Sequence, residues 1–133
     1  MIDFGYAEEI RLLASTSGND DLYNYFSMED AFNEYSMKNN LNITINIDLV
    51  KYEKPTDSYA FFKHLIESLL KKQKSTFDIY FYNTKYINIY GTYLLDLYSK
   101  LPKENIERFN PKVLHEECTY KNELVGLVIS NNN

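Results

Sequence analysis

The feature that most constrains the fold is an alternation between two hydrophobic periods along the chain. In the predicted strand of residues 42–50, polar and apolar side chains alternate strictly from Asn42 to Leu49, which is the two-residue period of a strand with one buried face. Residues 22–39 instead place apolar side chains every three or four positions, the period of a helix, and a second such helix opens at Pro55. Compact apolar runs at residues 8–15 and 77–82 are typical of further strands. This order predicts right-handed crossovers and a mainly parallel sheet, with residues 42–50 at or near its edge.

The next part of the chain predicts a third helix and two interruptions. Residues 85–98 carry apolar side chains on one helical face. Pro102 ends this helix and opens a short helical turn at residues 105–109. Asn110-Pro111 then breaks the chain again, which leaves the residues that follow in a predicted loop.

The C-terminal part predicts a pair of short strands and completes the fold class. Residues 118–129 suit two strands joined near Lys121-Asn122. The whole pattern predicts an α/β fold, a three-layer sandwich in which a mainly parallel sheet is flanked by helices, with a C-terminal β pair. The length of 133 residues fits a single α/β domain spanning residues 1–133.

Composition excludes several classes of function. With 14 basic and 19 acidic residues the net charge is −5, which argues against a protein that binds the phosphate backbone of a nucleic acid. No apolar run approaches the roughly 18 residues of a membrane span, so direct membrane insertion is not expected. The single cysteine, Cys118, rules out an internal disulfide and any metal site built from several cysteines.

The expected ligand site lies beyond the carboxyl ends of the parallel strands. Three segments follow those ends, residues 15–21, 52–57 and 83–86, and the first is the most polar. Its hydroxyl and amide groups, together with backbone N–H groups of the following helix, suit a sugar, an amino acid or a peptide. The alternative is that these Ser, Asn and Asp side chains simply cap the helix, since such residues are favoured before any helix.

The sequence offers little for catalysis. It has no Gly-x-Gly-x-x-Gly or Walker pattern, so nucleotide binding is not expected. His64 falls within the second helix, and His115 lies near Cys118 but beside two glutamates, whose field opposes thiolate formation. We expect Cys118 to be buried or to pair with a cysteine that lies outside this sequence, and Asp78 to bond to backbone at the start of its strand. The prediction is a protein that is not an enzyme and uses no metal and no cofactor.

Two further features depend on placement. Four tyrosines follow the third strand or lie in it, and we expect at least half of them to pack in the core: Tyr80, Tyr82, Tyr86 and Tyr90. Asn42-Ile43-Thr44 is a sequon for N-glycosylation, which has meaning only for a eukaryotic protein that is secreted. Asn42 is therefore a candidate glycosylation site.

Four sequence blocks, taken in order, resemble the N-terminal lobe of an extracellular solute-binding protein, the periplasmic-binding-protein type II family. The first is the strand and polar turn of residues 10–19, and the second combines residues 31–35 with 43–47, similar to the family's FNEY and NITINI passage. The third is residues 77–80 with the Leu-Leu-Asp-Leu block of residues 94–97. The fourth, residues 119–127, is similar to the family's Y-x-G-K-x-Y-G-L-P passage, although Asn122 replaces its glycine and Val128 its proline.

The resemblance implies a non-catalytic module that recognises a sugar or another small polar ligand outside the cell. It also implies a partner, either a second lobe or a membrane receptor or transporter segment of the kind served by ABC-transporter binding proteins. The richness in Asn, Tyr and Ile is similar to ectodomains of anaerobic gut fungi, some of which are fused to seven-helix receptors. Carried over from the family, the ligand-binding residues are Thr16, Ser17, Asn19 and Asp20, then Asn83 and Tyr86, with Glu53 a weaker candidate.

Two other functions remain open at the level of sequence. A protein-interaction or scaffolding domain could keep this fold without a ligand, and it would expose an apolar patch and self-associate through it. A small flavodoxin-like enzyme would need a phosphate loop or a catalytic cluster, and the sequence shows neither.

Overall fold

A computed structural model of the protein describes residues 8–16, 19–51, 55–72 and 76–128, and for residues 19–23 and 55–59 it describes the backbone alone. The chain divides into two compact units, residues 1–81 and residues 82–133. The prediction of a single domain over residues 1–133 stays a prediction.

The first unit is built on a parallel sheet, as the sequence predicts. Its three strands lie in the order β2-β1-β3, and β1 pairs in parallel with both neighbours. The helices follow the first and second strands, so the alternating order predicted from the hydrophobic periods is confirmed. The elements are β1 (Glu8–Thr16), α1 (Asn19–Lys38), β2 (Ile43–Lys51), α2 (Pro55–Lys71) and β3 (Ile79–Tyr80).

The core of this unit lies around the central strand. Leu12, Leu13 and Ala14 are successive residues that point to opposite faces, and each is at most 5% exposed, so β1 is covered on both sides. Along β2, by contrast, exposed positions alternate with partly or fully buried ones from Ile43 to Ile47. Burial on both faces is typical of a central strand such as β1. Alternation of exposed and buried residues is typical of an edge strand such as β2.

Helix α1 covers the outer edge of β2 through its side chains. Asn33 accepts a hydrogen bond from the Ile45 N–H at 2.8 Å and donates one to the Ile45 carbonyl at 3.0 Å. Glu29 accepts from the Ile47 N–H at 2.7 Å. One turn further along, the hydroxyl of Ser36, which is 2% exposed, bonds to both the N–H and the carbonyl of Ile43. We call the side chains of Glu29, Asn33 and Ser36 the edge ladder.

The edge ladder continues into the turn that ends α1. Asn40 takes a left-handed conformation (φ 54°), the Leu41 N–H bonds to the Ser36 carbonyl, and the Asn40 N–H bonds to the Met37 carbonyl. This is the Schellman pattern, with asparagine in the position where glycine is most common. The chain therefore leaves α1 and enters β2 within a few residues, which holds the helix end against the start of the strand.

Strand β3 is shorter than the predicted residues 77–82, and its start is fixed by a carboxylate. The Asp78 N–H donates to the Arg11 carbonyl at 2.8 Å, and Asp78 Oδ2 accepts from the Arg11 N–H at 2.9 Å. The expected structural role of Asp78 is confirmed. The side chain of Arg11 also pairs with Asp48 at 2.6 Å and lies over the Phe77 ring, 5.1 Å from its centroid. Side-chain contacts thus join the three strands in addition to the backbone hydrogen bonds of the sheet.

In the second unit, the prediction of one helix over residues 85–98 is wrong. The segment is a 3₁₀ turn (Thr84–Tyr86), a short α3 (Ile87–Tyr90) and a second 3₁₀ turn (Gly91–Tyr93), which ends where Leu94 becomes extended (ψ 153°). Tertiary contacts outweigh the helical pattern here. Tyr120 lies so close that a Cβ on Gly91 would come within 2.3 Å of its ring, and Asp96 Oδ1 accepts from the Leu124 N–H at 3.2 Å.

The predicted break at Asn110-Pro111 is confirmed, because Asn110 is extended (ψ 118°) and separates two helices, but the loop predicted after it is wrong, because Pro111 starts a helix. The Asn110 side chain accepts a hydrogen bond from the Lys112 N–H at 2.9 Å. Pro111 takes the first helical position, where the helix makes no use of a backbone N–H and proline's lack of one costs nothing. Residues predicted to lie in a loop, His115 among them, are therefore helical. The remaining elements are a third 3₁₀ turn (Leu97–Ser99), α4 (Lys103–Ile106), α5 (Pro111–Glu117), β4 (Thr119–Tyr120) and β5 (Glu123–Leu124).

The terminal strand pair confirms its prediction. β4 and β5 are antiparallel, and Lys121 and Asn122 between them both have positive φ, 48° and 66°, as a tight hairpin turn requires. The core of this unit gathers beside the hairpin, where Leu114 of α5, Cys118 and Leu124 are each at most 4% exposed.

The edge ladder gives a direct prediction of stability. Asn33→Ala removes two hydrogen bonds and leaves the N–H and carbonyl of Ile45 without them, so we expect the free energy of unfolding to fall by about 2 kcal/mol. Glu34→Ala on the same helix removes only an exposed pair with Lys38 and should cost less than about 0.5 kcal/mol. Urea unfolding of both variants measures the difference, and equal costs would contradict the role given to Asn33.

Candidate functional site at the carboxyl end of the parallel sheet

The carboxyl ends of β1 and β2 form the first part of the expected site. Thr16 and Lys51 are paired in register, so the two strands end side by side, about 4.8 Å apart. Thr16 is 3% exposed, which favours a supporting role at the strand end for its hydroxyl. Lys51, at the matching position of β2, is exposed. The sequence analysis did not name it, although its place at the end of the predicted strand could have indicated it.

Strand β1 ends at Thr16, and helix α1 begins at Asn19. Asn19 and Asp20 are the first two residues of that helix, which places their backbone at the helix N-terminus beside the strand end. The N–H groups of a first helical turn have no partner within the helix and suit polar or anionic oxygens. Ser17 and Glu53 fall outside the described residues, and so do the side chains of Asn19 and Asp20. Their roles as ligand contacts stay predictions.

Asn83 and Tyr86, which belong to the second unit, occupy one short turn. Asn83 is exposed, and its Oδ1 accepts from the Lys85 N–H at 3.1 Å, so this side chain caps the 3₁₀ turn. Tyr86 is half-buried, with its ring 6.2 Å from the ring of Tyr90 and with Lys85 Nζ 5.0 Å from its own centroid. An amide that accepts through Oδ1 still carries two N–H donors on Nδ2, which is the group that Asn83 can present to a ligand.

The tyrosine rings of this unit pack against one another. Of the four tyrosines, at least half of which were expected in the core, only Tyr90 is fully buried, at 1% exposed, and the other three are partly buried. Tyr82 meets Tyr90 edge to face at 5.4 Å and donates to the Val125 carbonyl at 3.4 Å. Burial raises the pKa of Tyr82 to about 12, with a smaller contribution from Cys118. Tyr80, in the first unit, packs edge to face on Phe77 at 6.1 Å.

Cys118 and the two histidines show where nucleophilic or metal chemistry could be sought. Cys118 is 1% exposed, as expected, and burial followed by the charge of Glu117 raises the pKa of its thiol, which disfavours the reactive thiolate. His64 on α2 and His115 on α5 are both exposed. Among the residues that the structure describes, no group of three or more His, Cys, Asp and Glu side chains could hold a metal ion.

A shallow depression on α2 lies away from this region. Glu67, Ser68, Lys71 and Lys72 line it, and Lys71 Nζ is 2.8 Å from Glu67 Oε1. The hydrogen bond from Lys71 lowers the pKa of the Glu67 carboxyl. Since α2 returns the chain from the carboxyl end of β2 towards the amino end of β3, its last turns lie at the opposite end of the sheet. An ion pair between neighbouring turns of one helix explains this feature without a ligand.

No protein-family model matches the chain, and no curated protein is significantly similar to it. No helix within the described ranges combines the length and the apolar character needed to cross a membrane. The function is therefore inferred from the fold and from the residues at the strand ends.

Tyr82 gives a prediction that pH measurements can check. Its pKa in the folded protein is about 12, above the 10.0 of an ordinary tyrosine, so folding favours the protonated phenol. The stability linked to this group is complete below pH 10 and is lost as the pH rises towards 12. Difference absorbance of phenolate between the wild type and Tyr82→Phe should show one tyrosine that titrates near pH 12. A difference that titrates near pH 10 would contradict the buried position of Tyr82.

Proposed function

We propose that the chain is a non-catalytic solute-recognition module, which binds a sugar or another small polar ligand at the carboxyl end of its parallel sheet. The strand order supports this proposal most directly. The chain passes from β1 to β2 on one side and then from β2 back across β1 to β3 on the other, so the strand order reverses between β1 and β3. In open parallel sheets, ligands bind in the crevice at such a reversal.

The same connections support a three-layer arrangement of the periplasmic-binding-protein type II kind. Both crossovers join parallel strands, and such crossovers are almost always right-handed. Because they move in opposite directions across the sheet, right-handed connections put α1 and α2 on opposite faces. The buried side chains of Phe62 and Ile66 on α2 agree with a helix packed on a sheet, and β1 is covered on both faces.

The chemistry near the strand ends supports binding more than catalysis. The 20-residue α1 begins three residues after Thr16, and Lys51 adds an exposed cation at the end of the neighbouring strand. Such groups can donate hydrogen bonds to hydroxyl or carboxylate oxygens of a solute. The buried, protonated thiol of Cys118 offers no nucleophile. We place the module outside the cell, working with a second lobe or with a membrane receptor or transporter segment.

One observation favours an alternative function. Within six residues of the second unit, Tyr93, Leu95 and Tyr98 are 41%, 68% and 52% exposed. Three large apolar side chains this close together are typical of a surface that contacts another protein. A protein-interaction or scaffolding domain that has kept the fold and lost the ligand is therefore the second candidate.

Ligand titration monitored by NMR tests the proposal at the turn after β1. We expect a panel of sugars and amino acids to contain a ligand of about millimolar affinity that shifts the amide signals of residues 16–21, the level expected of a few exposed polar contacts. The double variant Asn19→Ala/Asp20→Ala should weaken that ligand about tenfold, since it loses hydrogen bonds to the solute. Asp30→Ala, an exposed acidic residue further along α1, is the matched control and should leave binding unchanged.

Two outcomes would contradict solute binding at this turn. One is the absence of any ligand in the panel, and the other is a ligand whose affinity the double variant and Asp30→Ala change equally. In the first case, sedimentation velocity decides the alternative. Self-association that Leu95→Asp abolishes would favour the interaction domain.

A further inference from the structure

Asn42 lies in the short connection between α1 and β2, directly before the strand. Its backbone is fixed, because its carbonyl accepts a hydrogen bond from the Glu8 N–H at 3.0 Å at the first register position of the sheet. Its φ of 57° is a left-handed conformation that asparagine adopts more readily than most residues. Its side chain is exposed. Asn42 is thus an exposed residue with a fixed backbone.

The residue two positions later completes an acceptor sequence. Thr44 is exposed, and the two-residue period of the strand puts its side chain on the opposite face from Ile43 and Ile45. Asn42-Ile43-Thr44 is the one Asn-x-Ser/Thr sequon in the sequence, although asparagine is abundant. Both side chains that a glycosylating enzyme must reach are therefore exposed in the folded protein.

We propose that Asn42 carries an N-linked glycan when the chain passes through a eukaryotic secretory pathway. The donor class is an oligosaccharide linked to a polyprenyl diphosphate. A bond forms between Asn42 Nδ2 and C1 of the first sugar, the bond from C1 to the diphosphate oxygen breaks, Nδ2 loses a proton, and the lipid diphosphate leaves. The proposal rests on the extracellular location included in the proposed function.

The position of the glycan has a consequence for the ligand site. Asn42 directly precedes β2, whereas Thr16 and Lys51 mark the carboxyl ends of their strands. Nine steps along a strand correspond to about 30 Å. A glycan at the amino end of the sheet therefore leaves the opposite end open, and it stands beside the turn where α1 ends.

Expression of the full chain with a secretory leader in a eukaryotic host tests the proposal. We expect the wild type to show an increase in mass that peptide:N-glycosidase removes, with aspartate at position 42 of the released peptide. Thr44→Ser keeps the sequon and should be modified, whereas Thr44→Val removes the sequon without changing Asn42 and should not. Asn42→Asp is a second unmodified variant that tolerates the left-handed backbone. Bacterially produced Thr44→Val should unfold at the same midpoint as the wild type.

The outcomes separate this inference from solute binding, because mass is measured without a ligand. A wild type of unmodified mass, in lysate and medium alike, would overturn the glycan, whatever its affinity for solutes. A glycan that persists in both Thr44→Val and Asn42→Asp would overturn its assignment to Asn42. A modified wild type that binds no solute would support the glycan and count against the solute-recognition function alone.

Discussion

The first unit depends on how the open edge of its sheet is closed. An edge strand presents unpaired N–H and carbonyl groups, which invite pairing with another chain. Here, side chains from three positions of α1 take the place of a neighbouring strand, and Asn33 satisfies both the donor and the acceptor of Ile45. The same contacts hold α1 against β2. The helix whose N-terminus borders the proposed ligand site is therefore positioned by the strand edge that it protects.

Parallel strands give the sheet two different ends, and the two proposed sites use one each. At the carboxyl end, Thr16 and Lys51 are paired in register, and α1 begins three residues after Thr16. At the amino end, Asn42 is exposed beside the end of α1. A glycan at one end and a solute at the other do not compete for space, so modification and recognition can coexist on one small unit.

The sequence predicts the first unit well because its elements depend on local patterns and on burial. The alternation of residues 42–50 indicates an edge strand, and the structure places β2 there. The edge ladder was missed, although Glu29, Asn33 and Ser36 recur at the spacing of one helical face; polar residues facing a sheet edge resemble ordinary surface residues. In the second unit, the helix predicted for residues 85–98 fails because the close packing of Gly91 on Tyr120 and the bond from Leu124 to Asp96 are contacts distant in sequence. Of the predicted ligand residues, Asn83 caps a 3₁₀ turn through its Oδ1, a role that the sequence analysis did not assign to it.

Native-state hydrogen exchange at the outer edge of β2 tests the central claim most directly. The amides of Ile45 and Ile47 face α1 and donate to Asn33 and Glu29. If the edge ladder closes the sheet, both amides exchange about as slowly as those of the central strand β1, and Asn33→Ala speeds exchange at Ile45 far more than at Leu12. Fast exchange of both amides in the wild type, typical of an open edge, would contradict the account.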